Sequence, residues 1–356
     1  MLILAIESSC DETACAVVEM GEGIRRILSN TVATQIATHA LYGGVVPEIA
    51  SRAHIEAITP VVRSAVSEAG VELCDLDAIA VTYTPGLIGS LLVGVSFAKS
   101  LAYSLGIDLI PVDHIKAHTA AAYFTDDTLE APFLSLVVSG GHTSLYNVSE
   151  PHIYDEIGST RDDAAGEAFD KVGRVMGLTY PGGAAMDKLA SKGFEMADNG
   201  EIELITLPSP AINDDSLDYS FSGLKTATIN YLHTYRQKNG LDDKAELPET
   251  EKAKVAASFT KTVVNGICAK LSLALESTGA KKLVVAGGVA ANSHLRKAVE
   301  ETCKKHGVSL YIPPVSLCGD NGAMVAAQAY YDYKAGARAD VTLNAYASGE
   351  AAKSFV

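Results

Sequence analysis

The sequence predicts an α/β protein made of two similar halves that face each other across a central cleft. Each half has the pattern of a β-hairpin, a strand, a glycine-containing loop, a helix, a strand and a further helix. The hairpins are predicted at residues 2–19 and 133–148, and the glycine loops at 84–90 and 287–292. Clefts between α/β halves are common ligand sites. A single continuous doubly wound sheet is the alternative, but it does not require the second hairpin.

The composition is typical of a globular protein. The chain has 356 residues, is 48% apolar and carries a net charge of -15, which is enough chain for two domains. So acidic a chain is not typical of a stand-alone nucleic-acid binder. The six cysteines contain no CxxC pair and are typical of reduced thiols. With no signal-peptide pattern and no uninterrupted apolar run of membrane length, we expect a soluble cytoplasmic protein with no membrane association.

In the first half, short apolar β-rich runs alternate with polar or glycine-rich segments. Pro47 in a first turn predicts a helix, with Ser51, Arg52, His54 and Glu56 on a polar face that we expect to be solvated. The strands are predicted at 2–7, 14–19, 78–82 and 109–112, with a helix at 91–105 and a cap at Asp113 for the helix after it.

The second half repeats this order with an insertion rich in helices. After strands at 133–138 and 144–148, a helix with acids on one face is predicted at 162–171 and a short helix at 184–190. Apolar periodicity predicts two further helices at 222–232 and 253–278. Strands at 283–286 and 308–312 then flank a helix that ends near 305, and a final helix starts at 318–322.

His114 and His118 are the strongest chemical signal in the first half. Residues four apart lie on one face of a helix, so two imidazoles at this spacing can share a metal ion. The same spacing also arises by chance in chains with several histidines. Asp320 occupies a comparable position in the second half, which favours a metal site built from both halves. A zincin protease is disfavoured, because Ile115 stands where His-Glu-x-x-His has its glutamate.

Two polar turns and one loop are candidate phosphate sites. The turns Ser8–Thr13 and Ser139–Thr143 offer hydroxyl and backbone N–H groups, although the first, taken alone, is better explained as an ordinary turn. The loop at 84–90 leads from a strand into a helix, which is a typical anion site. Because it lacks the Lys-Ser/Thr ending of a P-loop, a Walker-type ATPase is disfavoured.

Together these motifs resemble those of the bacterial tRNA N6-adenosine threonylcarbamoyltransferase family (TsaD, formerly the O-sialoglycoprotein endopeptidases or Gcp). The resemblance runs in order from residue 2 to about 332. It is carried by AIESSCDETACAVV (5–18), GGVVPEIASRAH (43–54), PGLIGSLLVG (85–94), HIKAH (114–118), LVVSGGHTSL (136–145), DDAAGEAFDKVGRVMGLTYPGG (162–183), SFSGLKTA (220–227), GGVAAN (287–292) and CGDNGAM (318–324).

The resemblance implies the actin/hexokinase/Hsp70-like fold (ASKHA, ribonuclease H-like), in agreement with the duplication. Its two domains would cover residues 1–132, which carry the histidine pair, and 133–325, with a helical insertion at about 150–280. Residues 326–356 would form a C-terminal helix and tail. No function is predicted for the charged loop at 236–252 or for the tail.

The resemblance also implies the site residues. His114, His118 and Asp320 would bind one divalent metal ion, iron (Fe2+) in preference to zinc (Zn2+). Asp11 and Glu12 would support catalysis. The substrate-binding residues would be Val137, Val138, Ser139, Gly140 and Gly141 for the acyl-adenylate, and Asp170, Gly183, Asp187 and Asn292 for its adenosine part. Archaeal members have a tyrosine ligand where this chain has Val137, so three protein ligands would remain.

The implied activity transfers the threonylcarbamoyl group from threonylcarbamoyl-AMP to N6 of adenosine 37 in tRNA. The implied partners are tRNA, bound weakly by the acidic chain alone, the inactive paralogue TsaB and the P-loop ATPase TsaE. The alternatives are a small-molecule kinase of the same fold and a nucleotide-dependent scaffold. Neither explains three metal-type ligands contributed by separate halves.

Overall fold

The computed structural model of the chain describes residues 1–242 and 245–348. The first lobe contains, in chain order, β1 (Leu2–Glu7), β2 (Glu12–Gly21), β3 (Ile24–Thr34), α1 (Ile36–Ala40), α2 (Pro47–Ala69), β4 (Ala78–Thr84), α3 (Ile88–Leu105), β5 (Asp108–Asp113) and α4 (His114–Ala120). The second lobe contains β6 (Phe133–Val138), β7 (Thr143–Glu150), β8 (Ile153–Ser159), α5 (Ala165–Val175), α6 (Gly182–Asp198), α7 (Ser222–Lys238), α8 (Glu249–Thr278), β9 (Lys282–Ala286), α9 (Ser293–His306) and β10 (Ser309–Tyr311). A last helix, α10 (Gly322–Lys334), follows.

The two lobes have sheets of the same topology. Their strand orders are β3-β2-β1-β4-β5 and β10-β9-β6-β7-β8. In each, an antiparallel hairpin (β1–β2 or β6–β7) leads to parallel strands (β4, β5 or β9, β10). The predicted duplicated α/β fold is therefore confirmed. The sequence does not predict the edge strands β3 and β8, because their side chains are mostly half-buried or exposed and give only a weak hydrophobic pattern.

The first sheet is covered on both faces. Alternate residues of a strand point to opposite faces, so Ile3 and Ala5 pack with α10 while Leu4 and Ile6 pack with α2 and α3. This two-sided burial explains why β1 is apolar almost throughout. β1 is the central strand of this sheet, and its carboxyl end leads into the first polar turn.

The helices α4 and α10 lie between the two sheets. Ala120 and Ala327 pack in one cluster with Phe133 and Val284 of the second sheet. The other face of the second sheet is covered by the inserted helices, among which α8 is 30 residues long. The ends of α4 and α10 are consequently the parts of the chain placed where the lobes meet.

Small residues bring α10 close to the first sheet. A Cβ built on Gly322 would lie well inside 3.0 Å of the Ala16 nitrogen, a separation that real side chains do not show. Ala323 and Ala326 are fully buried in the same contact. Asn321 caps the helix, its Oδ1 accepting the Met324 N–H at 3.0 Å. The backbone just before α10 is thus fixed against β2.

Two local predictions have different outcomes. Asp113 caps α4 as predicted, its Oδ1 accepting the N–H groups of Ile115 at 2.8 Å and Lys116 at 3.2 Å. The solvated face predicted for α2 is wrong at His54, which is fully buried. It is buried against Cys10 and Thr13 of the first hairpin, a contact that periodicity along one helix does not reveal.

The described part of the tail returns to the first lobe. The N–H of Ala339 donates to the Leu109 carbonyl at 2.8 Å, and that of Tyr346 donates to the Tyr83 carbonyl at 2.9 Å. Residues 349–356 of the predicted tail, and 243–244 of the loop at 236–252, lie outside the described residues. Residues 335–348 therefore pack along the edge of the first lobe.

One helix among residues 1–242 and 245–348, α3, is long and apolar enough by length and composition to cross a membrane. Its buried residues Leu91, Val95 and Ala98 pack in the core between α2 and the first sheet, and Lys99 interrupts its apolar run. The core helix of a soluble protein meets the same length and composition test.

We expect Gly322→Ala to destabilise the protein by about 1–3 kcal/mol, because the added methyl group forces α10 away from β2. Chemical denaturation would measure the change in the free energy of unfolding. Gly223→Ala is the matched control, since a Cβ there meets no atom within 4 Å. Equal effects of the two substitutions would show that the crossing of α10 is not tightly packed.

Candidate metal centre and adjoining cleft

Three candidate ligands from two helix starts meet in one cluster. His114 and His118 are on α4, and Asp320 lies two residues before α10. Their ligand atoms all lie within 4.8 Å of one another, and Asp320 Oδ1 is 3.7 Å from His114 Nε2 and 3.4 Å from His118 Nε2. Two imidazoles and one carboxylate are a donor set for a divalent transition metal. The cluster can hold a metal ion.

His118 provides the test of whether a metal fits. Its side chain is almost fully buried. Its Nδ1 has no partner, and its Nε2 has only Asp320 Oδ1 at 3.4 Å, a contact that is not a hydrogen bond. Buried polar groups are normally paired, because leaving one unpaired is unfavourable. A metal ion held between His118 and Asp320 would satisfy the imidazole, so the residues present fit the group.

Glu7 contacts the ring nitrogen of His114 that faces away from Asp320. Its Oε2 lies 3.1 Å from His114 Nδ1 and also accepts the Thr82 hydroxyl, while Oε1 accepts the Ser9 N–H, both at 2.6 Å. A carboxylate behind a ligating histidine fixes the ring and its tautomer. This arrangement directs His114 Nε2 towards Asp320. Glu7 is not among the predicted site residues, because it ends an apolar strand; its charge in a buried β-strand is the signal that could have found it.

Neighbouring charges change the pKa values of His114 and Asp320 in opposite directions. Burial lowers the pKa of His114, but Glu7 and Asp320 outweigh burial and raise it to about 9. Burial raises the pKa of Asp320, but the neighbouring histidines outweigh it and lower the pKa to about 2. In the metal-free protein a proton on His114 therefore offsets the carboxylates at this centre. Binding of a cation would displace that proton.

The first hairpin turn brings Asp11 and Glu12 to the same cluster. Glu12 Oε1 accepts the Thr34 hydroxyl at 3.2 Å. Burial, the charge of Asp320 and the charge of Asp11 raise the pKa of Glu12 to about 9. Glu12 therefore carries a proton at neutral pH in the metal-free protein.

The second hairpin turn lines the cleft with glycine. Val137 and Val138 are fully buried in β6, so only their backbone can face a ligand. The Ser139 N–H donates to the His142 carbonyl at 2.7 Å within the turn. A Cβ built on Gly140 or Gly141 would meet no atom within 4 Å, so these two residues border open space.

The second glycine loop packs directly on this turn. Gly287 has a φ of +93°, and a Cβ there would lie well inside 3.0 Å of the Val138 carbonyl oxygen. Only glycine combines this backbone conformation with so close an approach. The loop that was predicted from the sequence at 287–292 thus supports the turn that borders the cleft.

The residues predicted to contact adenosine lie around the starts of α6 and α9, which donate hydrogen bonds to Asp170 of α5 and Asp187 of α6. Asp170 Oδ1 accepts the Gly182 N–H at 2.7 Å, next to Gly183 at the start of α6. Asp187 Oδ1 accepts the Ser293 N–H at 3.1 Å, and Asn292 caps α9. Burial raises the pKa of Asp170, and the charge of Asp11 adds to the rise. Asp170 therefore lies within electrostatic range of the first hairpin turn.

His142 is a further titratable group near the cluster that is not among the predicted site residues. Burial and the charges of His114 and His118 lower the pKa of His142 to about 4. At neutral pH it is an uncharged imidazole in the second hairpin turn, within electrostatic range of the metal cluster. Its position in the turn Ser139–Thr143 is the sequence signal that points to it.

The matching sheets and the helices between them define a two-lobed protein of the actin/hexokinase-like class, here with a candidate metal centre where the lobes meet. HypF of T. kodakarensis has this fold, with a TM-score of 0.60 at 13% identity over 94% of this chain and 48% of that chain. Component A of the (R)-2-hydroxyglutaryl-CoA dehydratase of Acidaminococcus fermentans gives a TM-score of 0.50 at 14% identity, over 94% and 98% of the two chains.

The chain belongs to the tRNA N6-adenosine threonylcarbamoyltransferase family, TsaD. The family model matches residues 26–327. The relative from Moorella thermoacetica is 50% identical over 96% of this chain and 95% of its own. The relative from Clostridium beijerinckii is 48% identical over 97% and 96% of the two chains. The predicted family and enzyme class are confirmed, and the kinase and scaffold alternatives are not favoured.

We expect Glu7→Gln to weaken binding of a divalent metal by about 10- to 100-fold, the usual effect of losing the carboxylate behind a ligating histidine. The amide has one acceptor oxygen for the three donors that Glu7 now satisfies. Calorimetric titration of chelated protein with Zn2+ would measure the affinity. Glu48→Gln, at an exposed carboxylate, is the control. Unchanged affinity in Glu7→Gln would mean that Glu7 does not orient His114.

The raised pKa of Glu12 predicts how stability depends on pH in the chelated protein. Between pH 4.5 and about 9, the unfolded chain releases the proton that folded Glu12 keeps. Stability therefore falls with rising pH, by at most about 1.4 kcal/mol per pH unit. Glu12→Gln removes this loss and should raise the free energy of unfolding at pH 8 more than at pH 4. An equal effect at both pH values would contradict the raised pKa.

Proposed function

We propose that this chain transfers the threonylcarbamoyl group from threonylcarbamoyl-AMP to N6 of adenosine 37 in tRNAs that read ANN codons. The adenine nitrogen attacks the carbamoyl carbonyl, a C–N bond forms, the bond from that carbonyl carbon to the AMP oxygen breaks, and AMP leaves. The attacking nitrogen loses one proton. The unpaired imidazole of His118 beside Asp320, in a chain of this family, is the observation that carries the proposal.

The second lobe is the proposed site of the adenylate. The N–H groups of Gly140 and Gly141 are the proposed donors to the phosphate, because a Cβ built on either residue would meet no atom within 4 Å and a ligand can approach this part of the turn closely. The Ser139 N–H, already bonded to His142, is left to shape the turn. The adenosine part is proposed to be held by Asp170, Gly183, Asp187 and Asn292. The backbone of Val137 and Val138 is the proposed rigid wall of the adenylate site.

His114, His118 and Asp320 are the proposed ligands of one divalent ion, iron in preference to zinc. When bound, such an ion supplies Lewis-acid stabilisation of developing negative charge on oxygen. Because Val137 replaces a tyrosine, three protein ligands would leave open positions. Glu7 keeps the His114 ring oriented, and the buried surroundings of His118 exclude water from that side.

The two carboxylates of the first turn differ in their suitability as proton acceptor. Protonated Glu12 cannot accept a second proton, but it can donate a hydrogen bond to substrate. Without a cation, Asp11, its neighbour in the turn, is therefore the candidate acceptor of the proton released from N6. A cation at the triad would offset the charge of Asp320 and lower the pKa of Glu12. Glu12 would then be an acceptor as well, so we propose both residues.

The charge of the chain supports a need for partners. Phosphate contacts supply most of the affinity for nucleic acid, and a net charge of -15 opposes them. We propose weak tRNA binding by the chain alone, with TsaB and TsaE completing the active assembly in the cytoplasm. The target adenine, in an anticodon loop, is unpaired and can enter a protein pocket.

We expect wild-type protein with TsaB, TsaE and metal to transfer labelled threonylcarbamoyl from synthetic adenylate to unmodified tRNA. His118→Ala and Asp320→Ala should each lose at least about 100-fold in rate, since both remove a ligand from the proposed ion. Scintillation counting of precipitated tRNA measures the product, and omission of the partners tests their role. His233→Ala, on α7, is the control for histidine loss.

No transfer by wild type in the complete mixture would overturn the proposed function. Transfer that survives in both ligand variants would retain the activity but remove the metal centre from it. Circular dichroism of each variant distinguishes a lost ligand from a lost fold.

A further inference from the structure

One buried histidine holds both ends of the first hairpin turn. His54 of α2 is fully buried. Its Nε2 lies 3.0 Å from the Cys10 carbonyl oxygen, and its Nδ1 lies 2.7 Å from Thr13 Oγ1. Cys10 and Thr13 flank Asp11 and Glu12. A single imidazole therefore bridges the turn across its two acidic residues.

The chemistry of the partners fixes the proton on this ring. A carbonyl oxygen can only accept, so Nε2 carries the hydrogen and donates it to Cys10. Burial lowers the pKa of His54, so the ring is neutral and Nδ1 accepts the hydroxyl hydrogen of Thr13. Both nitrogens are thereby satisfied without charge. A side chain with one donor and one acceptor at this spacing is needed to make both bonds.

A second chain of hydrogen bonds holds the middle of the same turn. The Asp11 carbonyl accepts the Gln35 N–H at 3.0 Å. The Gln35 side chain lies 3.1 Å from His39 Nε2 and donates to the Ala50 carbonyl of α2 at 3.4 Å. Gln35 and His39 are both buried. Three points of the turn are thus tied to the segment that includes α1 and the start of α2.

We propose that His54 is a positioning residue that sets the orientation of Asp11 and Glu12 in the cleft. The inference rests on the role given to these carboxylates in the proposed function. A histidine that served only to fill the core would be replaceable by an apolar side chain of similar size. His54 instead directs both polar atoms at the two residues that bracket the acidic pair, on a strand and turn far from α2 in sequence.

The experiment compares His54→Leu, which removes both bonds, with Thr13→Val, which removes one bond with little change in shape. We expect single-turnover transfer to fall by about 100-fold in His54→Leu, the effect of a small misplacement of catalytic groups, and by less in Thr13→Val. Thr13→Ser keeps the hydroxyl and should restore the rate. Bound metal and the dissociation constant for the adenylate should stay at wild-type values. His306→Leu, at the end of α9, is the control.

A double-mutant cycle separates positioning from a general structural effect. In a background of Asp11→Ala with Glu12→Ala, adding His54→Leu should cause no further loss of transfer. A multiplicative loss, or loss of metal and adenylate binding in both His54→Leu and Thr13→Val, would overturn the proposal.

Hydrogen exchange tests whether His54 holds the first hairpin turn in place, without any assay of activity. Amides of residues 10–13 should exchange faster in His54→Leu and Thr13→Val, with exchange in β4 unchanged. If wild-type protein gives no transfer, the proposed function has failed. Hydrogen exchange alone then tests whether His54 holds residues 10–13 in place. Unchanged exchange in the turn would overturn the proposal.

Discussion

The close crossing of α10 over the first sheet is the contact on which the cleft depends. Gly322 lets the helix backbone lie against Ala16 of β2, and buried alanines continue the contact. Asp320, two residues earlier, is carried with the helix to the histidines of α4. Ligands from opposite halves of the sequence meet because a small residue stands where a side chain would separate them.

Around that contact the protein concentrates negative charge. Glu7, Asp11, Glu12 and Asp320 lie close to the two histidines. Burial and the charges of Asp320 and Asp11 raise the pKa of Glu12, whereas attraction to Glu7 and Asp320 raises the pKa of His114. Burying several carboxylates together is unfavourable unless their charges are paired or bind a cation. The hydrogen bonds from Ser9, Thr82 and Thr34 relieve it only in part, which is the electrostatic reason that a dication suits this place.

Local signals were enough for much of this picture. Apolar runs predicted β1, β6 and β9, and the cap at Asp113 followed from one side chain next to a helix. Spacing indicated the histidine pair, while Asp320 was joined to it by the duplication and by family motifs. Glu7, His54 and His142 were not predicted, although a charge in a buried strand marks Glu7 and a place in the second turn marks His142. Their roles depend on partners distant in sequence, as does the pairing of the half-exposed edge strands β3 and β8.

The position of α10 also decides which parts of the cleft move together. Asp320 is anchored through Gly322 to the first lobe, the same lobe that carries His114 and His118. Gly140 and Gly141 belong to the second lobe. A rotation of the second lobe would therefore move the second hairpin turn away from the first while the three candidate ligands kept their spacing. The geometry of the candidate metal centre is in this way independent of how wide the cleft stands.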